Sequence, residues 1–232
     1  MLVPILLFVG TLALSLWASL RVKTAYAASS RVAVSSGYSG AEAAQQILQS
    51  AGIYDVTVQG REGVLTDHYD PLRKELVLSR ENFYGRSAAA LGIAAHECGH
   101  ALQHQQAYAP LQWRMAAVGL TNFASQLVTW LPLLGMATGL LSTYTGLAIM
   151  ALGWGIIMLF NLVTLPVEFD ASRRAKRLLP ALGFIRTAPE AAAVSRVLDA
   201  AAWTYVAAFL TSLAYFLWYL LPLLLGGRRS DD

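Results

Sequence analysis

The pattern of apolar and charged positions divides the chain into membrane-type and polar segments. Residues 2–20 are uncharged and mostly apolar, residues 115–167 contain no Lys, Arg, Asp or Glu, and residues 200–227 are again free of charge. An apolar stretch of about 20 residues can span the hydrocarbon core of a bilayer. Most charged residues fall instead in residues 21–114 and 173–199. The pattern therefore predicts a membrane protein with polar segments between its spans.

Four transmembrane helices are predicted, because the longest uncharged stretch has room for two spans. The predicted spans are residues 2–20, 116–137, 144–165 and 203–225. The second span contains Thr121, Asn122 and Gln126, and polar residues at such depth usually face another helix or a cavity. The turn after it is predicted within residues 137–146, where small and turn-prone residues cluster.

The first apolar stretch has a second interpretation, a cleaved signal peptide. Ala25-Tyr26-Ala27 resembles a small-residue cleavage site. However, Arg21, Lys23 and Arg31 follow the apolar stretch rather than precede it, and the stretch is longer than a signal core of about 7–15 residues. We therefore expect residues 2–20 to be a retained anchor.

The polar segments, residues 21–115 and 166–202, predict a small folded portion. Ser39-Gly40-Ala41-Glu42 is a capping box that begins a helix, and Gly52 ends it. Strand-like runs separated by turn residues predict a short antiparallel sheet of residues 55–58, 63–66 and 75–79. A second helix is predicted over residues 87–106, and the 166–202 segment is predicted to be helical with a break near Pro180 and Gly183. The fold class is thus a mainly α membrane protein, one domain over residues 1–232, with a small α+β portion.

Composition and charge agree with this assignment and add an orientation. Only 13% of residues are charged, against about 25% in soluble domains. Four spans place both polar segments on one side, and these hold 15 of the 17 Lys and Arg residues, with only Arg228 and Arg229 outside them. The positive-inside rule then predicts a protein of the cell membrane whose polar segments are cytoplasmic. The single cysteine, Cys98, excludes an intrachain disulfide and fits a reducing compartment.

The chemistry is concentrated in His96-Glu97-Cys98-Gly99-His100 on the predicted 87–106 helix. Residues four apart share a helix face, so His96 and His100 can offer two imidazoles to one metal ion. Glu97 lies beside them as the base that takes a proton from the water that zinc activates. The alternative is a pair of structural histidines on an amphipathic helix. The motif favours a zincin-like hydrolytic site with one Zn²⁺ ion.

Helical geometry argues against two neighbours as ligands. Cys98 points about 200° around the helix from His96 and is predicted to be a small buried thiol. His104 would lie about 12 Å along the axis from His96, too far for both to reach one ion. We expect His104 to be a helix-end residue, to support a ligand, or to hydrogen-bond substrate. Gly99 is expected to permit close approach of another element.

The third protein ligand is therefore expected downstream. The acidic residues after His104 are Glu168, Asp170, Glu190, Asp199, Asp231 and Asp232. Glu168 directly follows the long uncharged stretch, at the membrane face where the 87–106 helix is expected to dock. Asp170 is the second candidate, and on a helix it faces away from Glu168, so one can bind metal while the other pairs with Arg173 or Arg174. The alternative for Glu168 is a plain interfacial charge.

Several segments together resemble the YugP-like membrane zinc metallopeptidases over nearly the whole chain. They are Ser39-Gly40-Ala41-Glu42, Leu65-Thr66-Asp67-His68-Tyr69-Asp70-Pro71, Ala94-Ala95-His96-Glu97-Cys98-Gly99-His100-Ala101, Gln105-Gln106-Ala107-Tyr108-Ala109-Pro110-Leu111 and Leu165-Pro166-Val167-Glu168-Phe169-Asp170-Ala171-Ser172. The resemblance implies a single-zinc, multi-span peptidase and supports Glu168 as third ligand. The plan is also similar to HtpX and the CAAX prenyl proteases, which place an aspartate where this chain has Ser172. Asp170 or Ser172 could then steady a zinc histidine.

The expected function is a zinc endopeptidase acting on peptides or membrane proteins at the bilayer, with no nucleic-acid partner. A zinc hydrolase of a non-peptide amide or lipid, and a non-catalytic membrane scaffold, are the alternatives. Such peptidases bind peptide along a sheet edge, for which residues 75–79 or 63–66 are candidates. Residues 67–71 would then be the hairpin tip, where His68 is a turn residue with a local hydrogen bond or, alternatively, contacts the active site.

Overall fold

A computed structural model describes residues 2–63, 66–138 and 143–226, which fold into seven helices and three strands. In chain order these are α1 (Leu2–Ser30), α2 (Gly40–Ser50), β1 (Thr57–Arg61), β2 (His68–Asp70), β3 (Glu75–Ser79), α3 (Arg80–Tyr84), α4 (Ala88–Gln105), α5 (Ala109–Thr138), α6 (Tyr144–Ala181) and α7 (Ala188–Gly226). The chain divides into two compact units. One holds Trp17–Gln112 with Pro166–Thr204, and the other holds the described residues among 1–16, 113–165 and 205–232.

Long apolar helices dominate the chain, as the sequence predicted. Within the described residues, α1, α6 and α7 are long and apolar enough to cross a membrane. Helix α5 covers the predicted 116–137 span but is not one of these candidates, and its polar side chains Thr121, Asn122 and Gln126 lower its hydropathy. Part of the predicted turn, residues 139–142, lies outside the described residues. The count of four spans therefore stays a prediction.

The first unit has its core between α2 and α4. Both halves of the predicted capping box form, since Glu42 N donates to Ser39 Oγ and Ser39 N donates to the Glu42 carboxylate. The apolar face of α2, with Ile47 and Leu48, is buried in a cluster with α4. Cys98 is also fully buried there, its Sγ 3.6 Å from the carbonyl oxygen of Ala44, as expected for a structural thiol. This packing holds α4 firmly against the rest of the unit.

The sheet is mixed, and the predicted antiparallel sheet is wrong in this respect. The strand order is β1-β3-β2, with β1 parallel and β2 antiparallel to β3. Burial explains the order: Leu76, Val77 and Leu78 are all fully buried, so β3 occupies the centre, whereas β1 is largely exposed and suits an edge. Residues 75–79 are therefore not a free edge, contrary to one expectation. Of the other candidate edge, residues 64 and 65 lie outside the described part.

The predicted hairpin tip is wrong for His68–Asp70, which form β2 instead. The turn to β3 covers residues 71–74, where Asp70 Oδ1 accepts from Leu72 N at 2.8 Å and Lys74 has a positive φ of 55°. Among the described strands, β2 pairs only with β3, so it is a second edge of the sheet. Tyr69 of this strand contacts His104 of α4, so this edge lies beside α4.

Close packing between α4 and α6 depends on Gly99. A Cβ on this residue would lie 2.8 Å from the carbonyl oxygen and 3.0 Å from the Cα of Ala171. The backbones are in contact here, and Ala171 is itself fully buried. The expected role of Gly99 is thus what the structure shows. This contact brings residues 166–181 of α6 against the helix that carries His96 and His100.

The other unit combines the first half of α1 with most of α5, the first part of α6 and the last part of α7. Asn161 Nδ2 donates to Ser212 Oγ at 3.0 Å, which joins α6 to α7. Trp154 and Tyr215 stack with ring centroids 4.5 Å apart in the same pair. Such polar and aromatic contacts are typical of helix association in membranes.

Replacing Gly99 with alanine tests the close helix contact. We expect Gly99→Ala to reduce the free energy of unfolding by about 1–3 kcal/mol, because the added methyl group meets backbone atoms that cannot move aside. The measurement is the thermal unfolding midpoint of the detergent-purified protein, followed by circular dichroism.

Gly92→Ala on the same helix is the matched control. Its Cβ would lie 3.4 Å from Val194 Cγ1, an ordinary contact, and alanine favours a helix over glycine by about 1 kcal/mol. We expect no loss of stability. Equal destabilisation by both substitutions would contradict the packing argument.

Candidate metal centre

Two partly buried histidines of α4 and one buried glutamate of α6 meet in one cluster. His96 Nε2 lies 3.3 Å and His100 Nε2 lies 3.6 Å from Oε2 of Glu168. One ligand atom from each side chain lies within 4.8 Å of the others, and no other such group of His, Cys, Asp or Glu occurs among the described residues. The structure therefore brings together the three side chains that the sequence predicted as ligands.

The two nitrogen-to-oxygen separations fit a zinc ion. Zinc binds imidazole nitrogen and carboxylate oxygen at about 2.0–2.2 Å, so neighbouring ligands of a tetrahedral ion lie about 3.3 Å apart. Both nitrogen-to-oxygen distances are close to this value. Two histidines and one glutamate are also a known catalytic donor set, which leaves the fourth position for water or substrate. The residues present thus suit zinc.

The remaining ring nitrogens of both histidines have protein partners. His96 Nδ1 lies 3.1 Å from Oγ of Ser172, and His100 Nδ1 lies 3.0 Å from Oε1 of Gln103. With the proton on Nδ1, each ring donates to its oxygen partner and presents the lone pair of Nε2 toward Glu168. Metal-binding histidines are commonly oriented in this way.

The role of Gln103 was not predicted from the sequence, although its spacing from His100 indicated that the two side chains share a helix face. It lies three residues after His100 and so shares its helix face. The side chain is fully buried, and Nε2 donates to Val167 O at 2.8 Å and to Asp170 Oδ2 at 3.0 Å. Arg174 in turn donates to Asp170. Gln103 therefore connects a candidate ligand on α4 to the backbone and a carboxylate of α6.

Asp170 and Ser172 contact different parts of the candidate metal centre. Ser172 contacts His96 directly, and Asp170 reaches His100 only through Gln103. Asp170 does not join the group of three candidate ligands. The sequence could not assign these partners, because a one-residue rotation of α6 would exchange the side chains that face α4.

Glu97 lies next to the candidate ligands in the chain and is 7% exposed. Burial raises the pKa of its carboxyl group, while the nearby imidazoles of His96 and His100 act in the opposite direction. A carboxyl group with a raised pKa is suited to accept and return a proton near neutral pH.

His104 and His68 lie apart from the cluster of three. His104 Nδ1 is 2.9 Å from the hydroxyl of Tyr69, and burial raises the pKa of Tyr69 to about 12, so the phenol keeps its proton. His104 and Tyr69 line a cavity of about 520 Å³ together with Asp55 and Lys74, which form an ion pair with each other. His68 is exposed at the start of β2, and its Nδ1 lies 2.8 Å from the carbonyl oxygen of Thr66, a local contact two residues back in the chain.

Asp67 is a further residue whose role was not recognised in the sequence. Oδ1 accepts from the backbone N–H of Ser79 at 2.8 Å, and Oδ2 accepts from Asn82 Nδ2 at 3.0 Å. Asn82 is buried and accepts from the hydroxyl of Tyr26. Asp67 therefore holds the start of β2 against the end of β3.

The two histidines and the buried Glu168 match a catalytic zinc donor set, and the adjacent Glu97 adds an acid–base group, so the site has the composition expected of a zinc hydrolase. A family model described as "Putative neutral zinc metallopeptidase" matches residues 4–224. This match covers nearly the whole chain, and the chain belongs to that family.

A curated relative supports the same assignment. The chain is 46% identical over 232 residues to "Putative membrane protease YugP" of Bacillus subtilis (strain 168), covering 98% of this chain and 99% of the relative. No solved structure matches the chain.

Gln103→Met tests whether Gln103 supports the metal site. Methionine keeps the volume but cannot accept the His100 proton, so we expect zinc affinity to fall about 10–100-fold. Competition with a chromophoric chelator measures the affinity. Gln105→Met, an exposed position on the same helix, is the control and should bind zinc as the unchanged protein does. Unchanged zinc affinity in both variants would show that Gln103 does not support the metal site.

Glu168→Ala tests the third ligand. We expect it to lower zinc affinity by more than the Gln103 substitution does, because a ligand is lost rather than its support. Asp170→Ala should have a smaller effect, since Asp170 acts through Gln103. The same chelator titration compares them, and the opposite ranking would show that the wrong carboxylate was chosen.

Proposed function

We propose that this protein is a zinc-dependent membrane endopeptidase that cleaves membrane or membrane-proximal proteins. The observation that carries the proposal is the convergence of His96, His100 and Glu168 at separations that suit one zinc ion. Membership of a zinc metallopeptidase family supports the same reaction class. Glu97 supplies the acid–base group that hydrolysis needs.

The reaction divides between the metal and Glu97. A bound zinc ion supplies Lewis acidity, which lowers the pKa of water and polarises a carbonyl group. Glu97 accepts a proton as the water oxygen adds to the peptide carbonyl carbon. It then returns this proton to the amide nitrogen as the C–N bond breaks. The buried position of Glu97 favours this exchange, because its raised pKa makes the carboxylate a better proton acceptor.

The second sheet edge, β2, is our candidate for substrate binding. An extended peptide can add to a sheet edge through main-chain hydrogen bonds. β2 lies beside α4, as the contact of Tyr69 with His104 indicates, and Asp67 holds its first residue in place. The cavity of about 520 Å³ at Tyr69 and His104 could receive a substrate side chain.

A membrane location supports the proposed substrate class. Three of the described helices are apolar enough to span a bilayer, and Glu168 is the first charged residue after the uncharged residues 115–167. The curated relative is itself named as a membrane protease. We propose the cell membrane, with the site on the cytoplasmic side, because the polar segments carry 15 of the 17 Lys and Arg residues.

Glu97→Gln tests the mechanism. Glutamine keeps the size of the side chain but cannot take a proton, so cleavage should fall at least about a hundredfold while zinc content and fold are retained. The assay follows a panel of peptide and lipid-amide substrates by mass spectrometry, with metal analysis of the same samples.

Glu62→Gln is the matched control, because Glu62 is an exposed carboxylate paired only with Arg80 in the described part of the chain. It should cleave normally. Full activity of Glu97→Gln would contradict the mechanism, and cleavage of lipid amides without peptides would move the substrate class to the non-peptide alternative.

A further inference from the structure

We propose that an anionic phospholipid binds in a groove between α1 and α7, with its phosphate between Arg21 and Arg196. The groove has a volume of about 540 Å³. Its lining is mostly apolar apart from three charged side chains, and it consists of Trp17, Leu20, Arg21, Thr24, Ala25, Ala28, Arg196, Asp199 and Ala200. This groove lies within one compact unit and contains none of the candidate ligands.

The groove lies where charge-free stretches end in both helices. Arg21 is the first charged residue after residues 2–20 of α1, and Asp199 is the last charged residue before residues 200–227 of α7. Both helices are candidate membrane spans. In such helices the first charges beyond the apolar stretch lie at the level of the lipid headgroups. The groove thus has the position of a headgroup site.

The charge of the groove is positive. Its one carboxylate, Asp199, forms an ion pair with Lys176 at 2.5 Å. No ion pair of either Arg21 or Arg196 with a carboxylate occurs in residues 2–63, 66–138 and 143–226. Both guanidinium groups therefore remain for an anion. Arginine recognises phosphate well, because its planar donors match two phosphate oxygens.

Two tryptophans hold Arg21 and provide apolar surface next to it. Trp17 and Trp203 meet edge to face with centroids 5.7 Å apart, and the Arg21 guanidinium carbon lies 5.3 and 5.8 Å from their ring centroids. Cation–π contacts of this kind orient the guanidinium group without neutralising its charge. Both rings remain more than 40% exposed, so they can also contact the glycerol and upper acyl chain. Tryptophan is enriched at this depth of membrane proteins.

The apolar lining favours a lipid over a free phosphate ion. A phosphate ion would use the two arginines but leave Leu20 and Ala28 facing water. A phospholipid suits both the charged and the apolar side chains of the groove. Its phosphate would bind the arginines, and its hydrocarbon would contact the tryptophans and aliphatic side chains. Phosphatidylglycerol has the required single negative charge, and phosphatidylcholine has the same phosphate with a compensating cation.

Native mass spectrometry of the full-length, detergent-purified protein tests the site. We expect one phosphatidylglycerol to bind in preference to phosphatidylcholine. The double variant Arg21→Gln/Arg196→Gln should weaken phosphatidylglycerol binding about tenfold or more, because both phosphate partners are lost. Trp17→Ala should weaken the binding of both lipids, since it removes apolar contact surface.

Lys23→Gln is the matched control. It removes a positive charge two residues from Arg21 on the same helix, but Lys23 does not line the groove. Binding should stay unchanged. An equal loss with Lys23→Gln would mean general attraction to basic residues and would overturn the site.

Three other outcomes would also overturn the proposal. They are displacement of the lipid by millimolar inorganic phosphate, equal binding of both lipids, and a dimer in place of the lipid adduct. Thermal unfolding checks that each variant is folded, and the single variant Arg196→Gln carries the test if the double variant is not. Because the readout is lipid mass rather than cleavage, it is independent of the proposed peptidase activity.

Discussion

The contact of α4 with α6 at Gly99 is the constraint on which the candidate metal centre depends. Backbone atoms of Ala171 lie where any larger side chain at position 99 would be, so the two helix backbones are in direct contact there. Because a glutamate side chain extends only a short distance from its helix, this close approach is needed to bring Oε2 of Glu168 within 3.3 Å of His96 Nε2 and 3.6 Å of His100 Nε2. A glycine without catalytic chemistry therefore sets the geometry of the candidate ligands.

Around this contact, the polar side chains next to the candidate ligands have hydrogen-bond partners. Burying a polar side chain is costly unless its hydrogen bonds are made, and Gln103 makes them with His100, Val167 and Asp170. His96 has a different partner, the hydroxyl of Ser172. The two imidazoles are thus oriented by chemically different groups, a neutral amide linked to a carboxylate and a single hydroxyl. The resulting rigidity favours metal binding, since little rearrangement is needed when the ion enters.

The first unit also combines the candidate centre with features that suit a membrane enzyme. Its sheet leaves β2 as an edge beside α4, while the groove of Arg21 and Arg196 lies where the uncharged stretches of α1 and α7 end. The proposed lipid and the proposed peptide would occupy separate surfaces with different chemistry. One surface offers main-chain hydrogen bonds, and the other offers guanidinium groups and tryptophan rings.

The sequence by itself determined what depends on local spacing. It placed two histidines on one face of a helix, predicted Glu168 as the third ligand from its position after an uncharged stretch, and marked the capping box at Ser39. Only the tertiary structure decided the strand order, the β2 edge and the role of Gln103. These depend on which buried surfaces pack together: the apolar β3 takes the centre of the sheet because burial is favourable, and Gln103 finds Asp170 because α6 packs in one rotation. Such choices arise between residues distant in the chain, and a local pattern does not contain them.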